Sequence, residues 1–214
     1  MAFTVNEFIS NINSRGVAYK SDFEVRILPR QGFRSEYIRR SGPAAISPNA
    51  VLEDLTFRIE ATELPGRAVQ TIDYRDHGVL RKIGYNAQYS DVGITIICSE
   101  DLREREFFDI WQDIIVGDHR SLVDTGVIDK KFNAGYYDDY ICDMELIQYN
   151  RQTQKETYKV KLEEVYPLQI SPLQVAWSDG EVHKLSITLA YRYYTVKKKQ
   201  YSQAVQQRAA QAFT

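Results

Sequence analysis

Long apolar runs are missing from this chain of 214 residues. The longest, around Ile94–Cys98, falls far short of the roughly 18–20 residues that a membrane-crossing helix needs. No membrane insertion by the chain is expected. The start, Met1-Ala-Phe-Thr-Val-Asn-Glu, has no basic flank and no apolar stretch, so it does not read as a secretory signal. Cysteine is scarce. Cys98 and Cys142 are the only two, too few for a disulfide framework. Both sit in strand-like apolar runs, which predicts buried free thiols in a reducing compartment. The three histidines, His77, His119 and His183, have no His or Cys partner at metal-ligand spacing. The eleven glycines are scattered at turns and form neither a phosphate loop nor a Gly-x-Ser-x-Gly elbow. Asp138-Asp139 and Glu163-Glu164 are paired carboxylates, but neighbours on a strand point to opposite faces and do not converge for acid–base work. The expectation is a chain that is not an enzyme, with no cofactor and no metal.

What is present is an ordinary globular composition, 43% hydrophobic and 26% charged with a net charge of -2, which argues against wholesale disorder. The small net charge conceals a division along the chain. Residues 1–50 hold 7 basic and 4 acidic side chains, and residues 192–214 hold 5 basic and none acidic. The body, 51–191, holds 15 basic and 25 acidic, a net -10. Such a body lacks the clustered cationic face of a duplex-DNA binder.

Hydrophobic periodicity predicts a mainly β chain with a few helices. Thr4 and Glu7 have capping-box spacing, Phe3 and Phe8 form a staple across it, and Val5, Phe8, Ile9 and Ile12 share a helical face ending near Gly16. Phe23, Val25 and Ile27 alternate with Glu24 and Arg26 in a strand closed by Pro29. Residues 30–50, with Gly32, Gly42, Pro43 and Pro48 and with Arg34, Arg39 and Arg40, read as a long basic loop. Leu55, Phe57, Ile59 and Ala61 alternate as a strand. Two segments polar on both faces flank Asp76-His77-Gly78, a hairpin-turn sequence. Val92, Ile94, Ile96 and Cys98 form the next strand. Asp101 opens an amphipathic helix whose Phe107, Trp111 and Ile114 stripe is the candidate cover of a sheet. Residues 118–138 read as a loop. Strands follow around Tyr140–Leu146, Tyr158–Leu162 and Leu185–Tyr193. After Tyr194 the acid-free end, with Tyr201, Val205, Ala209 and Ala212 on one face, reads as a tail that docks on a neighbour or frays. Two halves of alternating strands around one helix predict a two-sheet sandwich or partly closed barrel, flanked by an amphipathic helix and by short N- and C-terminal helices.

The order of these features resembles a known family. An N-terminal helix and a strand precede Ala61-Thr62-Glu63-Leu64-Pro65-Gly66. A polar hairpin, a strand and the helix Phe107-Phe-Asp-Ile-Trp111 follow. Val165-Tyr-Pro-Leu-Gln, Gln174-Val-Ala-Trp177-Ser-Asp and Leu185-Ser-Ile-Thr-Leu-Ala-Tyr191 close the series. Over roughly residues 3–194 this is similar to the tail tube protein of T-even-like contractile-tailed bacteriophages. The resemblance implies a single tail-tube-like β domain over 1–196, with 30–50 inserted, and a basic extension at 197–214. It implies hexameric rings stacked into a tube, inside a tail sheath and between a baseplate hub or initiator and a tail terminator. DNA passes through the lumen without specific binding. The subunit is made in the host bacterial cytoplasm and ends in the virion tail.

Within that picture the charge division assigns roles. Gln70, Asp73, Arg75 and Lys82 of the polar hairpin are candidates for the bore. Phe8, Arg34, Arg39, Arg40, His77, Lys197, Lys198, Lys199 and Tyr201 are candidates for contacts between subunits or rings, where basic ends complement an acidic neighbour. A single-ring baseplate adaptor that initiates the tube, a type VI secretion-like tube protein, and an enzyme or carbohydrate-binding β-sandwich with a pocket holding His183, Asp138 or Tyr136 remain as alternatives.

Overall fold

The computed structural model describes residues 17–41, 47–75, 77–122, 128–177 and 180–197, together with 4–6, 9, 10 and 12. Of the N-terminal segment, residues 5, 6, 9, 10 and 12 are helical. Phe8 lies outside the described residues, as does the segment 198–214 that carries Lys198, Lys199, Tyr201 and the expected C-terminal helix.

Alternation builds the strands. In β1 (Phe23–Pro29) Val25 and Ile27 are buried, and Glu24 and Arg26 point away from the core. β8 (Cys142–Tyr149) repeats the pattern with Cys142, Met144 and Leu146 inward. β9 (Glu156–Ile170) does so with Val160 and Leu162, and β10 (Lys184–Ala190) with Leu185, Ile187 and Leu189. β5 (Val92–Ile97) contributes Val92, Ile94 and Ile96. β2 (Ile59–Thr62) and β11 (Tyr193–Val196) are short.

All pairings are antiparallel. β1, β8, β9 and β11 form one sheet in the order β1-β8-β9-β11. The far half of β9 pairs β10, which continues through β5 to β2 as the second sheet. The transfer between sheets happens at a bulge. Register shifts between Cys142 and Met144, and Glu164 opposite them adopts a positive φ of 59° with its N–H directed at Asp143 Oδ1. A bulge bends the strand that carries it, which turns β9 from one layer into the other. The result is a mainly β two-sheet sandwich, not a closed barrel, since β1 and β2 each pair on one side.

Helices plug the open side. α3 (Arg103–Ile115) buries Phe107, Phe108, Trp111 and Ile114 almost completely, each worth roughly 1.5–3 kcal/mol of transfer free energy. The Trp111 indole N–H donates to the Tyr140 carbonyl at 2.7 Å, so its polar edge is satisfied. Glu104 in the first turn is 3% exposed. It accepts from Ser99 N–H at 2.9 Å and Ser99 Oγ at 2.7 Å, and faces Arg58 Nε at 3.2 Å.

Three segments depart from the sequence expectation. Residues 30–50 are not a loop over their described part. α1 (Gln31–Ser41) and α2 (Pro48–Arg58) occupy it. The glycine and proline there serve helices. Gly32 is needed because a Cβ would meet the Asp138 carbonyl at 2.6 Å, and Pro48 stands at a helix start, where its missing N–H costs nothing. Phe33 and Tyr37, four apart, anchor α1, with Phe33 4.9 Å from the Trp111 ring. The expected strand over 55–61 begins only at Ile59, because Val51, Leu52 and Leu55 bury a helical face of α2. Phe57, assigned inward by alternation, is 88% exposed. Residues 118–138 are a hairpin of β6 (Val116–Leu122) with β7 (Ile128–Ala134), apart from the undescribed turn, followed by the single turn α4 (Tyr137–Tyr140).

Candidate assembly surface

Two hairpins stand outside the sandwich as sheets of their own. The larger pairs β3 (Arg67–Tyr74) with β4 (Arg81–Tyr89), and nearly every residue in it is exposed on both faces. A lone two-stranded ribbon is marginal in water, and its outer strand edges invite pairing with another chain. This ribbon also exposes Val69, Ile72, Tyr74, Leu80, Ile83 and Tyr85. Such a surface calls for a partner.

Register sorts its residues. Gln70 pairs Asn86, Ile72 pairs Ile83 and Tyr74 pairs Arg81 on one face. Gln70, Asn86 and Gln88 are joined there by side-chain hydrogen bonds of 3.0 and 3.3 Å. Val69 opposite Ala87, Thr71 opposite Gly84 and Asp73 opposite Lys82 form the other face. A bulge at Gln70/Thr71, where β4 inserts Tyr85, keeps this division intact along the ribbon. The four hairpin residues named as bore candidates therefore do not share a face. Asp73 and Lys82 lie together, Gln70 lies opposite, and Arg75 is held in the turn by donating to the Gly78 carbonyl at 3.1 Å. His77 is exposed at the tip.

The basic candidates separate in the same way. Arg39 is bonded to Glu36 on α1, with Nη2 2.5 Å from Oε2. Arg40 turns inward, its side chain 14% exposed and its Nε 3.9 Å from Glu36 Oε2. Burial and then Arg39 push its guanidinium below the ordinary value. Arg34 lines a groove of about 500 Å³ between β1 and α2, with Leu52, Thr56 and Phe57. Lys197 directly follows β11, its N–H donating to the Lys159 carbonyl.

Tyr136 and Asp138 sit exposed at α4, while His183 lies at the entry to β10, where its carbonyl accepts from Cys98 N–H. The grooves bordering β1, α2 and the start of α3 are lined by other residues. Among the described residues no three His, Cys, Asp or Glu side chains converge as metal ligands.

Alternation and turn signals locate the hairpin but not its apolar residues, because Ile72 and Ile83 meet only once the bulge fixes the register. Trp177 is fully exposed on the β9–β10 connection beside exposed Val175.

Comparison with known proteins follows this geometry. The sequence profile of the family described as phage tail tube protein matches residues 18–197. No curated protein matches the chain. A chain of the sheath–tube complex of PVC, an extracellular contractile injection system in its extended state, has a similar fold, with a TM-score of 0.53, 10% identity, and 92% of this chain and 100% of that one covered. So do chains of the anti-feeding prophage tube-terminating cap, at TM-score 0.53, 11% identity and 86% and 93% coverage, and of the anti-feeding prophage baseplate, at 0.50, 10%, 87% and 99%. Identities this low speak to the fold.

Proposed function

The chain belongs to the phage tail tube protein family, and from that premise we propose that it is the structural subunit of a contractile phage tail tube, assembling as stacked hexameric rings whose lumen conducts DNA during infection. The observation that carries the reading is the free-standing β3–β4 ribbon. It is a two-stranded element with apolar side chains in water on both faces, stable and soluble only when neighbours cover it.

In this assembly the Ile72–Ile83 face, with Tyr74 and Gln70, packs on an adjacent subunit. Contacts of this head-to-tail kind need not close on themselves, and repeat into a filament of rings. The basic segments, including Arg34, His77 and Lys197 with the segment beyond it, meet the acidic body of the next ring. The sheath surrounds the tube, and the hub or initiator and the terminator cap its two ends. The chain's role is structural and not enzymatic, in the virion tail.

A long loop at 30–50 would have favoured a baseplate adaptor. Its described residues are instead helices packed into the core, so no observation singles that reading out.

Concentrated purified protein imaged by negative-stain electron microscopy tests the proposal. Rings and hollow tubes are expected. Protein that stays monomeric by light scattering at the same concentration, with no tubes on the grid, overturns it.

A further inference from the structure

The β3–β4 ribbon meets the sandwich at a break in strand pairing. The β2–β5 ladder ends with Thr62 opposite Ile94, and the β3–β4 ladder starts with Arg67 opposite Tyr89. One leg of the ribbon runs through residues 63–66 and the other through Ser90 and Asp91. No strand pairing joins the two legs at this point. They still touch, since a Cβ on Gly66 would stand 2.9 Å from Ser90 Oγ. A few element-terminal residues of this kind are what hinges are made of. A two-stranded ribbon on such a root swings unless something at its base holds it.

Three tyrosines stand at that base. Tyr89 is the last residue of β4 and the one residue of that strand that is not exposed. Its ring lies 6.0 Å from Tyr191 and 5.6 Å from Tyr194, and those two rings are 6.5 Å apart. The rings are tilted or edge-on to one another, at 57°, 79° and 61°, which is the arrangement that ring quadrupoles favour. Tyr191 and Tyr194 pack in turn on the hydrophobic core. Their backbone is held by both sheets. Ala190 pairs Tyr166 in one, and Tyr193 pairs Glu163 in the other. Between them Arg192 donates its N–H to the Glu163 carbonyl and its guanidinium to Glu164 Oε1, each at 3.1 Å. The Tyr191 hydroxyl is buried with no hydrogen-bond partner among the described residues, so the cluster holds through its rings.

We propose that the Tyr89–Tyr191–Tyr194 cluster is a joint that fixes the direction of the ribbon, so that the free subunit presents its assembly surface already aimed. The seat of the joint is rigid, the root beside it is not, and Tyr89 is the ribbon's aromatic link to the seat. A surface element ordered before it meets its partner spares the association the entropy of ordering it. The inference rests on the tube reading only for what the ribbon then meets.

Distance distributions between two spin labels in dilute, unassembled protein test this. Both native thiols are buried, so Thr71→Cys on the ribbon and Gln152→Cys on the β8–β9 turn, both exposed, carry the labels. The distribution is expected to be narrow in this parent, to broaden with Tyr89→Ala, and to stay narrow with Tyr89→Phe and with Tyr191→Phe, which keep the rings. The circular dichroism spectrum stays that of the parent throughout. A parent distribution already broad, or one that Tyr89→Ala leaves unchanged, overturns the joint. Broadening by Tyr191→Phe puts the hold in the hydroxyl and overturns it, and loss of the folded body in Tyr89→Ala makes the cluster core and overturns it too. In the otherwise unsubstituted chain, Tyr89→Ala is expected to raise the concentration at which tubes appear about tenfold, and Tyr89→Phe to leave it unchanged; equal concentrations for both would contradict the aimed ribbon. The distance measurement needs no tubes. If the unsubstituted chain never assembles, the tube reading falls while the joint is still decided.

Discussion

Glu104 shows how one residue holds several elements. A carboxylate 3% exposed would be expensive alone, but it takes two hydrogen bonds from Ser99 and an ion pair from Arg58. It ties the start of α3 to the end of α2 and to the end of β5. Glu104→Ala leaves the half-buried Ser99 N–H unpaired and is expected to cost about 1–3 kcal/mol, read as a lower denaturation midpoint with unchanged slope. Asp143 gives a pH signature. Burial pushes its carboxyl up, but hydrogen bonds from Arg30 and Lys161 outweigh burial and hold it below the ordinary 3.8. A depressed folded value means stability that is fully present at neutral pH and lost as pH falls through the folded value, below 3.8. Asp143→Asn is expected to destabilise the protein at pH 7 by about 1–3 kcal/mol and to narrow the gap from wild type near pH 3. Urea denaturation at the two pH values checks both parts. An equal gap at both would contradict the depressed carboxyl.

Among the elements, α3 is the keystone of the core and the β3–β4 ribbon is the chief surface element. Trp111→Ala is expected to cost about 3–5 kcal/mol, since it empties the space between Phe33, Phe107 and Phe108. Ile72→Asp with Ile83→Asp is expected to leave the circular dichroism spectrum and denaturation midpoint of the monomer almost unchanged, because both side chains already face water, and to abolish tubes. Loss of the folded monomer would contradict the ribbon's placement outside the core. The elements also show what a sequence can carry. Strict alternation in β1, β5, β8 and β10, and the aromatic stripe of α3, are local signals that the core obeys. Gly32 and Pro48 mislead because the same residues that break helices also permit a close backbone approach and a helix start. Over 118–134 the chain lacks alternation, and its hairpin is specified by pairing across the turn. The faces of the ribbon depend on a bulge at Gln70/Thr71 that no short-range pattern announces. The ion-paired sheet face was hidden for a related reason. Lys159, Lys161, Asp143 and Glu145 read as the polar half of ordinary alternation, and only register sets each lysine diagonally across from the acid it pairs, Lys159 with Glu145 and Lys161 with Asp143.

For the whole molecule, the division of charge along the chain takes on a spatial meaning. On the outward side of the β1-β8-β9-β11 sheet, Glu24, Asp143, Glu145 and Glu163 are ion-paired with Arg26, Arg30, Lys159 and Lys161. The described basic residues 34, 39 and 40 lie on a helix against the core. In the proposed assembly, copies meet at the exposed apolar groups of the ribbon, α2 and the β9–β10 connection. Electron cryo-microscopy of assembled wild-type protein bears on this account most directly. It predicts a hollow tube of stacked hexameric rings, with the β3–β4 ribbon buried between subunits. A protein that remains monomeric at every concentration, or a filament whose ribbon projects uncovered into solvent, would contradict it.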